Sequence, residues 1–165
     1  MPHPYPAHNP DLPYTGQHAY FLTFCTYRRS EVFVDAETVD TVLTQILRAA
    51  NRWQFDMLAY CFMPDHAHLI VAGKEREADR LAFIKAAKQY SAYRFRQTFG
   101  RRLWQRYGFE RVLRDDKEVA MTTAYIIGNP VRAGLAAGPS DYPYLGSTRY
   151  SVEELIAMCE YERVG

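Results

Sequence analysis

Two apolar, β-prone runs joined by a two-residue turn constrain this chain more than any other feature. Phe55 to Met63 and His66 to Ala72 flank Pro64-Asp65. Runs of that length around such a turn predict paired strands of a hairpin. In a strand, residues i and i+2 point to the same face. His66 and His68 then project together, roughly 7 Å apart at the backbone, with Ala67 on the other side. Two neutral imidazoles held that way can share one divalent metal ion. The competing reading has one histidine capping a sheet edge and the other exposed. A two-ligand spacing does not by itself choose between them.

The remaining elements extend the pattern. Ala19 to Tyr27 reads as a strand, followed by the basic pair Arg28-Arg29. Asp35 can cap a helix whose apolar positions Val39, Val42, Leu43, Ile46, Leu47, Ala50 and Trp53 keep helical spacing. A long helix from about Glu77 to Phe99 would bury Leu81, Ile84, Tyr90 or Ser91, and Phe95, and end at Gly100. Phe109 to Leu113 is a short strand. Asp115-Asp116 open a helix expected to run to about Gly128 and stop at Asn129-Pro130. Ser151 caps a last short helix through Met158. The order β-α-β-β-α-β, then helices, predicts an α+β fold: a ferredoxin-like split βαβ with an antiparallel sheet covered by helices on one face. Residues 1–17, rich in proline and without a basic cluster, read as an extended arm before a single domain over 18–165.

At 165 residues, 48% apolar and 15% aromatic, the chain is long and apolar enough for one real core. No apolar run approaches a membrane span and no signal peptide opens the chain, so no membrane partner is expected. Cys25, Cys61 and Cys159 have neither disulfide nor metal-knuckle spacing, which fits a reducing cytoplasm. Cys25 and Cys61 lie in apolar runs and read as ordinary buried thiols.

A net charge of +1 conceals an asymmetry, because Lys74 to Arg114 holds twelve Lys or Arg against four acidic residues. That stretch interleaves cations and rings: Lys85, Lys88, Tyr93, Arg94, Arg101, Arg102, Trp104, Arg106, Tyr107 and Arg114. Cations neutralise phosphates and rings stack on unpaired bases, so the segment reads as a nucleic-acid surface. The bland alternative is a solvated helix face over a normal core stripe, which periodicity supports for Leu81, Ile84 and Phe95. Further along, Tyr125 and Asn129 are four apart and share a helical face. Taken alone, they read as a core tyrosine and a helix C-cap.

Three segments together resemble a known family. They are Met63-Pro64-Asp65-His66-Ala67-His68-Leu69-Ile70-Val71; Trp104-Gln105 with Val112-Leu113-Arg114-Asp115; and Tyr125-Ile126 with Asn129-Pro130-Val131-Arg132-Ala133-Gly134-Leu135. The chain is similar, from about Tyr20 to Tyr150, to the single-tyrosine HUH transposases, and within them to the IS200-like, REP-associated tyrosine transposases. The resemblance implies an endonuclease and strand transferase acting on single-stranded DNA, at or near hairpins of palindromic repeats. It makes Tyr125, on a C-terminal helix, the nucleophile, with His66 and His68 as metal ligands and Asn129 in the place of the third. Relatives often carry Gln there, and a larger apolar residue where Ala67 stands. With mixed N and O ligands the expected ion is Mg²⁺ or Mn²⁺. Arg28, Arg29 and Arg132 would add phosphate contacts. A cytoplasmic, nucleoid-associated monomer or homodimer is implied.

Two other readings stay open at this level. A catalytically silent, domesticated relative would keep only the hairpin grip. A small metal-dependent hydrolase would use water and would cleave without Tyr125.

Overall fold

The computed structural model describes residues 18–164; the expected arm lies outside the described residues. The chain runs through strand β1 (Ala19–Cys25), helix α1 (Ala36–Arg52), strands β2 (Phe55–Met63) and β3 (His66–Gly73), helix α2 (Arg80–Phe99) and strand β4 (Phe109–Leu113). Helix α3 (Asp116–Arg132), a two-residue strand β5 (Leu145–Gly146) and helix α4 (Val152–Val164) complete it. The five strands form one antiparallel sheet in the order β4-β1-β3-β2-β5. The first four have the split βαβ order that the sequence predicts. Met63 pairs with His66, so Pro64-Asp65 is the two-residue turn of the hairpin.

Helices cover both faces, not one. Helices α1 and α2 pack with Tyr20, Leu22, Phe24, Leu69 and Val71, and α3 and α4 pack on Ala19, Phe21, Ile70 and Ala72. The sequence carries the reason: Tyr20-Phe21-Leu22 and Leu69-Ile70-Val71-Ala72 are apolar at consecutive positions. A sheet open to water on one side would alternate.

Side-chain caps set the helix starts. Asp35 accepts from Thr38 N at 2.8 Å, Asp79 from Ala82 N at 3.1 Å and Asp115 from Glu118 N at 2.8 Å. Because Asp79 is the cap, α2 begins three residues later than expected. Its buried stripe is Phe83, Ala86, Ala87, Ser91 and Phe95, and Leu81 lies outside it, 51% exposed. Gly100 closes the helix in the left-handed region, φ 73°.

Helix α3 does not stop at Asn129-Pro130. It continues to Arg132 with Pro130 buried inside it. Proline removes one helical hydrogen bond, and the turn goes on because Ala133 N donates to Asn129 O at 3.0 Å. That extra turn brings Arg132 onto the helix.

Candidate active site

Strand β3 holds His66 and His68 on the sheet face that α3 covers. Their rings stand 4.6 Å apart between centroids, inclined at 75°. Each has its Nδ1 engaged by the protein. His66 Nδ1 lies 2.7 Å from Asp65 Oδ1 and His68 Nδ1 lies 2.9 Å from Thr23 Oγ1. Thr23 is opposite His68 in the β1–β3 register, so strand pairing alone places that hydroxyl.

The support behind His66 extends one residue further. Arg29 Nε donates to Asp65 Oδ2 at 2.9 Å. Burial works against ionisation of Asp65, but the hydrogen bonds from His66 and Arg29 outweigh it, and its carboxyl stays below the ordinary value. An ionised carboxylate only accepts, so His66 Nδ1 must donate, and Nε2 is the nitrogen left to face an ion. The short 3-10 turn Tyr27–Arg29 that aims Arg29 has two non-glycine residues in the left-handed region, Arg28 at φ 56° and Arg29 at φ 54°. Such backbone persists only where surrounding contacts hold it. Here Thr26 N and Oγ1 both donate to Asp65 O, each at 3.0 Å.

His68 is buried and its pKa is pushed down to about 3, chiefly by burial, with the charges of His66, Arg132 and Arg29 adding to it. It is therefore neutral at physiological pH, as a metal ligand must be. Paired imidazoles, each steadied at one nitrogen by a carboxylate or hydroxyl, are the donor set that a divalent cation takes. The residues present fit such an ion. Among the described residues no group of three or more His, Cys, Asp or Glu completes a metal site. A third protein ligand would be of another type.

Tyr125 comes to this pair from α3. Its ring lies 5.9 Å from that of His68 and 6.3 Å from that of Phe21, and half of the residue is exposed. Arg132 folds back onto it, with the guanidinium 4.5 Å from the ring centroid and Nη2 donating to the Tyr125 carbonyl at 2.5 Å. Asn129 is half-buried one turn beyond Tyr125. Among the described residues its side chain makes no hydrogen bond to either histidine. Two histidines, and a tyrosine 59 and 57 residues from them in the chain, thus share one face with a cation beside them.

The basic segment divides. Cys25 pairs with His66, so the turn after β1 puts Arg28 and Arg29 at the histidine end of the sheet. Arg102 joins them there: the guanidinia of Arg102 and Arg28 lie 4.3 and 5.1 Å from the Tyr27 ring. Arg101, Arg106, Tyr107 and Arg114 are exposed as well. Lys85 and Arg94 are exposed on α2, which packs on the sheet face opposite the histidines. Lys88 is half-buried and donates to Gln105 O and Arg106 O, both at 3.2 Å, so it braces the loop.

Trp104 is no surface stacking ring. It is 5% exposed, packs against Phe24 and Phe33, and donates from Nε1 to Ser91 Oγ at 2.9 Å. A backbone bridge to Thr26 draws it into the core, and Arg101, Arg102 and Arg106 close by mask that in the sequence. Trp104→Ala should cost about 3–5 kcal/mol, seen as a fall in melting temperature of roughly 10 °C. An unchanged melt with weakened DNA binding would return the ring to the surface. Cys25 also departs from expectation. It is only half-buried, with Arg29 Nη1 3.2 Å from its sulfur, whereas Cys61 is buried and its thiol is pushed up to about 12 by burial.

Asp65 and Thr23 were not foreseen as site residues. Asp65 adjoins His66 in the turn, and Thr23 is the polar residue among the apolar ones of β1; those signals could have found both.

Known proteins resemble the chain in sequence and in fold. A curated relative in Haemophilus influenzae, named a REP-associated tyrosine transposase, is 27% identical over 139 residues, covering 76% of this chain and 77% of its own length. A solved REP-associated tyrosine transposase bound to a REP hairpin superposes with a TM-score of 0.68 at 23% identity, over 88% of this chain and 82% of that one. A transposase structure from Deinococcus radiodurans gives 0.54 at 24% identity, over 72% and 95%. At those identities the two structures establish the fold. The family model for IS200-like transposases matches residues 14–129, more than half of the sequence. The chain belongs to the IS200-like transposase family.

Proposed function

We propose that this protein cuts and rejoins single-stranded DNA at or near hairpin-forming repeats, through a covalent bond to Tyr125. The observation that carries the reading is the face shared by His66, His68 and Tyr125, with both Nδ1 atoms held from behind. The Tyr125 oxygen attacks the phosphorus and forms an O–P bond, and the bond from phosphorus to the 3′ oxygen breaks. The phenol proton is lost to solvent, the departing 3′ oxygen takes a proton from solvent and leaves as a 3′-hydroxyl, and a 5′-phosphotyrosine stays behind. The phosphodiester energy is kept in that link, so a second 3′-hydroxyl can reseal the strand without nucleotide hydrolysis. The absence of a GxxxxGK phosphate loop in the sequence accords with this.

His66 and His68 would hold Mg²⁺ or Mn²⁺ through Nε2, with Asn129 as the candidate third ligand. Such an ion polarises the scissile phosphate and offsets charge built up in displacement. Arg28, Arg29 and Arg102 would take phosphates at the histidine end. Arg101, Arg106, Tyr107 and Arg114 would extend the path, and Lys85 and Arg94 would reach DNA only where it passes to the other face. One chain brings Tyr125 to its own histidines, which supports action in cis, as monomer or homodimer. The solved relative's REP hairpin supports hairpin DNA as the partner.

The test incubates the chain with end-labelled single-stranded hairpins and Mn²⁺ or Mg²⁺. A denaturation-resistant protein–DNA band, mapped by mass spectrometry to Tyr125, is expected. Tight hairpin binding with no band and no cleavage would make the chain a silent hairpin-binding relative.

A further inference from the structure

Arg132 is seven residues from Tyr125, two helical turns along the same stripe. Arginine side chains lean toward the helix N-terminus, and this one lies back along α3 until its guanidinium covers the tyrosine ring and bonds its carbonyl. Its route passes over Gly128. A Cβ there would stand 2.7 Å from Arg132 Nη1 and 3.8 Å from Cζ, and those are the atoms it would meet. Glycine is a poor residue for a helix interior. Its presence at 128 leaves the channel in which the guanidinium lies.

We infer that Arg132 is the positioning residue of Tyr125, and that Gly128 exists to let it reach. This rests on the reading of Tyr125 as nucleophile. His68 and Phe21 meet the tyrosine ring at inclinations of 64° and 68°, and the guanidinium of the exposed Arg132 lies 4.5 Å from its centroid. Between them they restrict a half-exposed side chain to one orientation. A cation over an aromatic face is attracted by the ring. The planar guanidinium can do this while donating to the carbonyl; a lysine ammonium offers only a point charge.

The decisive variant is Gly128→Ala, which improves the helix and expels the guanidinium. It should keep or raise the melting temperature and leave hairpin affinity unchanged. Single-turnover adduct formation at saturating hairpin should fall about 10- to 100-fold. Arg132→Ala should fall as far, Arg132→Lys should not restore the rate, and the pair Gly128→Ala with Arg132→Ala should be no slower than either alone. A readout independent of cutting is the Arg132 Nε–H NMR signal, whose ring-current shift should vanish in Gly128→Ala. Parental rate in Gly128→Ala despite loss of that shift overturns the positioning role and leaves the nucleophile intact. Rate and affinity falling together in Arg132→Ala, with Gly128→Ala normal, overturns it in favour of a phosphate contact. An adduct that survives Tyr125→Phe overturns the nucleophile and the positioning role together.

Discussion

Tyr125→Phe is expected to abolish both the covalent adduct and strand cleavage, with residual activity below about one part in a thousand. The substitution removes one oxygen. The ring that meets His68 and Phe21 and lies under the Arg132 guanidinium remains, and the backbone carbonyl that Arg132 bonds is untouched. With the side chain half exposed, stability should change by no more than about 0.5 kcal/mol. Hairpin affinity should be retained, since the proposed phosphate contacts come from other residues. Gel detection of adduct, release of a free 3′-hydroxyl and a binding titration on the same sample separate these. Cleavage that persists in this variant would point to a water nucleophile, and so to a metal-dependent hydrolase on the same fold.

The legible and the hidden parts of this molecule divide on physical grounds. The hairpin and the shared face of His66 and His68 follow from the strand period, which leaves no other solution once the turn is fixed. The split βαβ order follows from element sequence and from the lack of strand–helix alternation. What a linear pattern cannot carry is register between distant strands. Thr23 meets His68 because β1 pairs with β3, and the parity that pairs them also puts α2 on the face away from the histidines. Lys85 and Arg94 are thus basic and exposed yet remote from the site they were expected to serve. Trp104 misled for a related reason: composition around it is that of a surface, and one bridge to Thr26 buries it. At Pro130 the usual local rule predicts a helix end, and packing overrides it, because the ring is buried and the next helical bond still forms. The approach of Tyr125 to His68 across 57 residues was reached only through resemblance to a family.

Replacing either histidine should remove metal-dependent cleavage by at least about a hundredfold, but the two variants should differ in stability. His68 is buried between Thr23 and the rings of Phe21 and Tyr125. His68→Ala leaves a void and strips Thr23 of a partner, at a cost of roughly 2–4 kcal/mol. His66 has a more accessible side chain, and in His66→Ala Asp65 keeps Arg29, so the loss should be about 1 kcal/mol or less. His68 also sets a pH dependence. Its pKa is lowered from 6.5 to about 3 on folding, chiefly by burial, so between those values the unfolded chain binds the proton and the folded chain does not. The stability it contributes is complete above about pH 6.5 and is lost as pH falls toward 3, on the order of a few kcal/mol. Urea midpoints at pH 7 and pH 4.5 should therefore converge in His68→Ala and stay apart in His66→Ala. At a Mn²⁺ concentration about a hundred times its dissociation constant, the parent should gain about 2.7 kcal/mol and neither variant should gain as much. If Mn²⁺ stabilises both variants as fully as the parent, the ion binds elsewhere, and the histidines serve the sheet and not the phosphate.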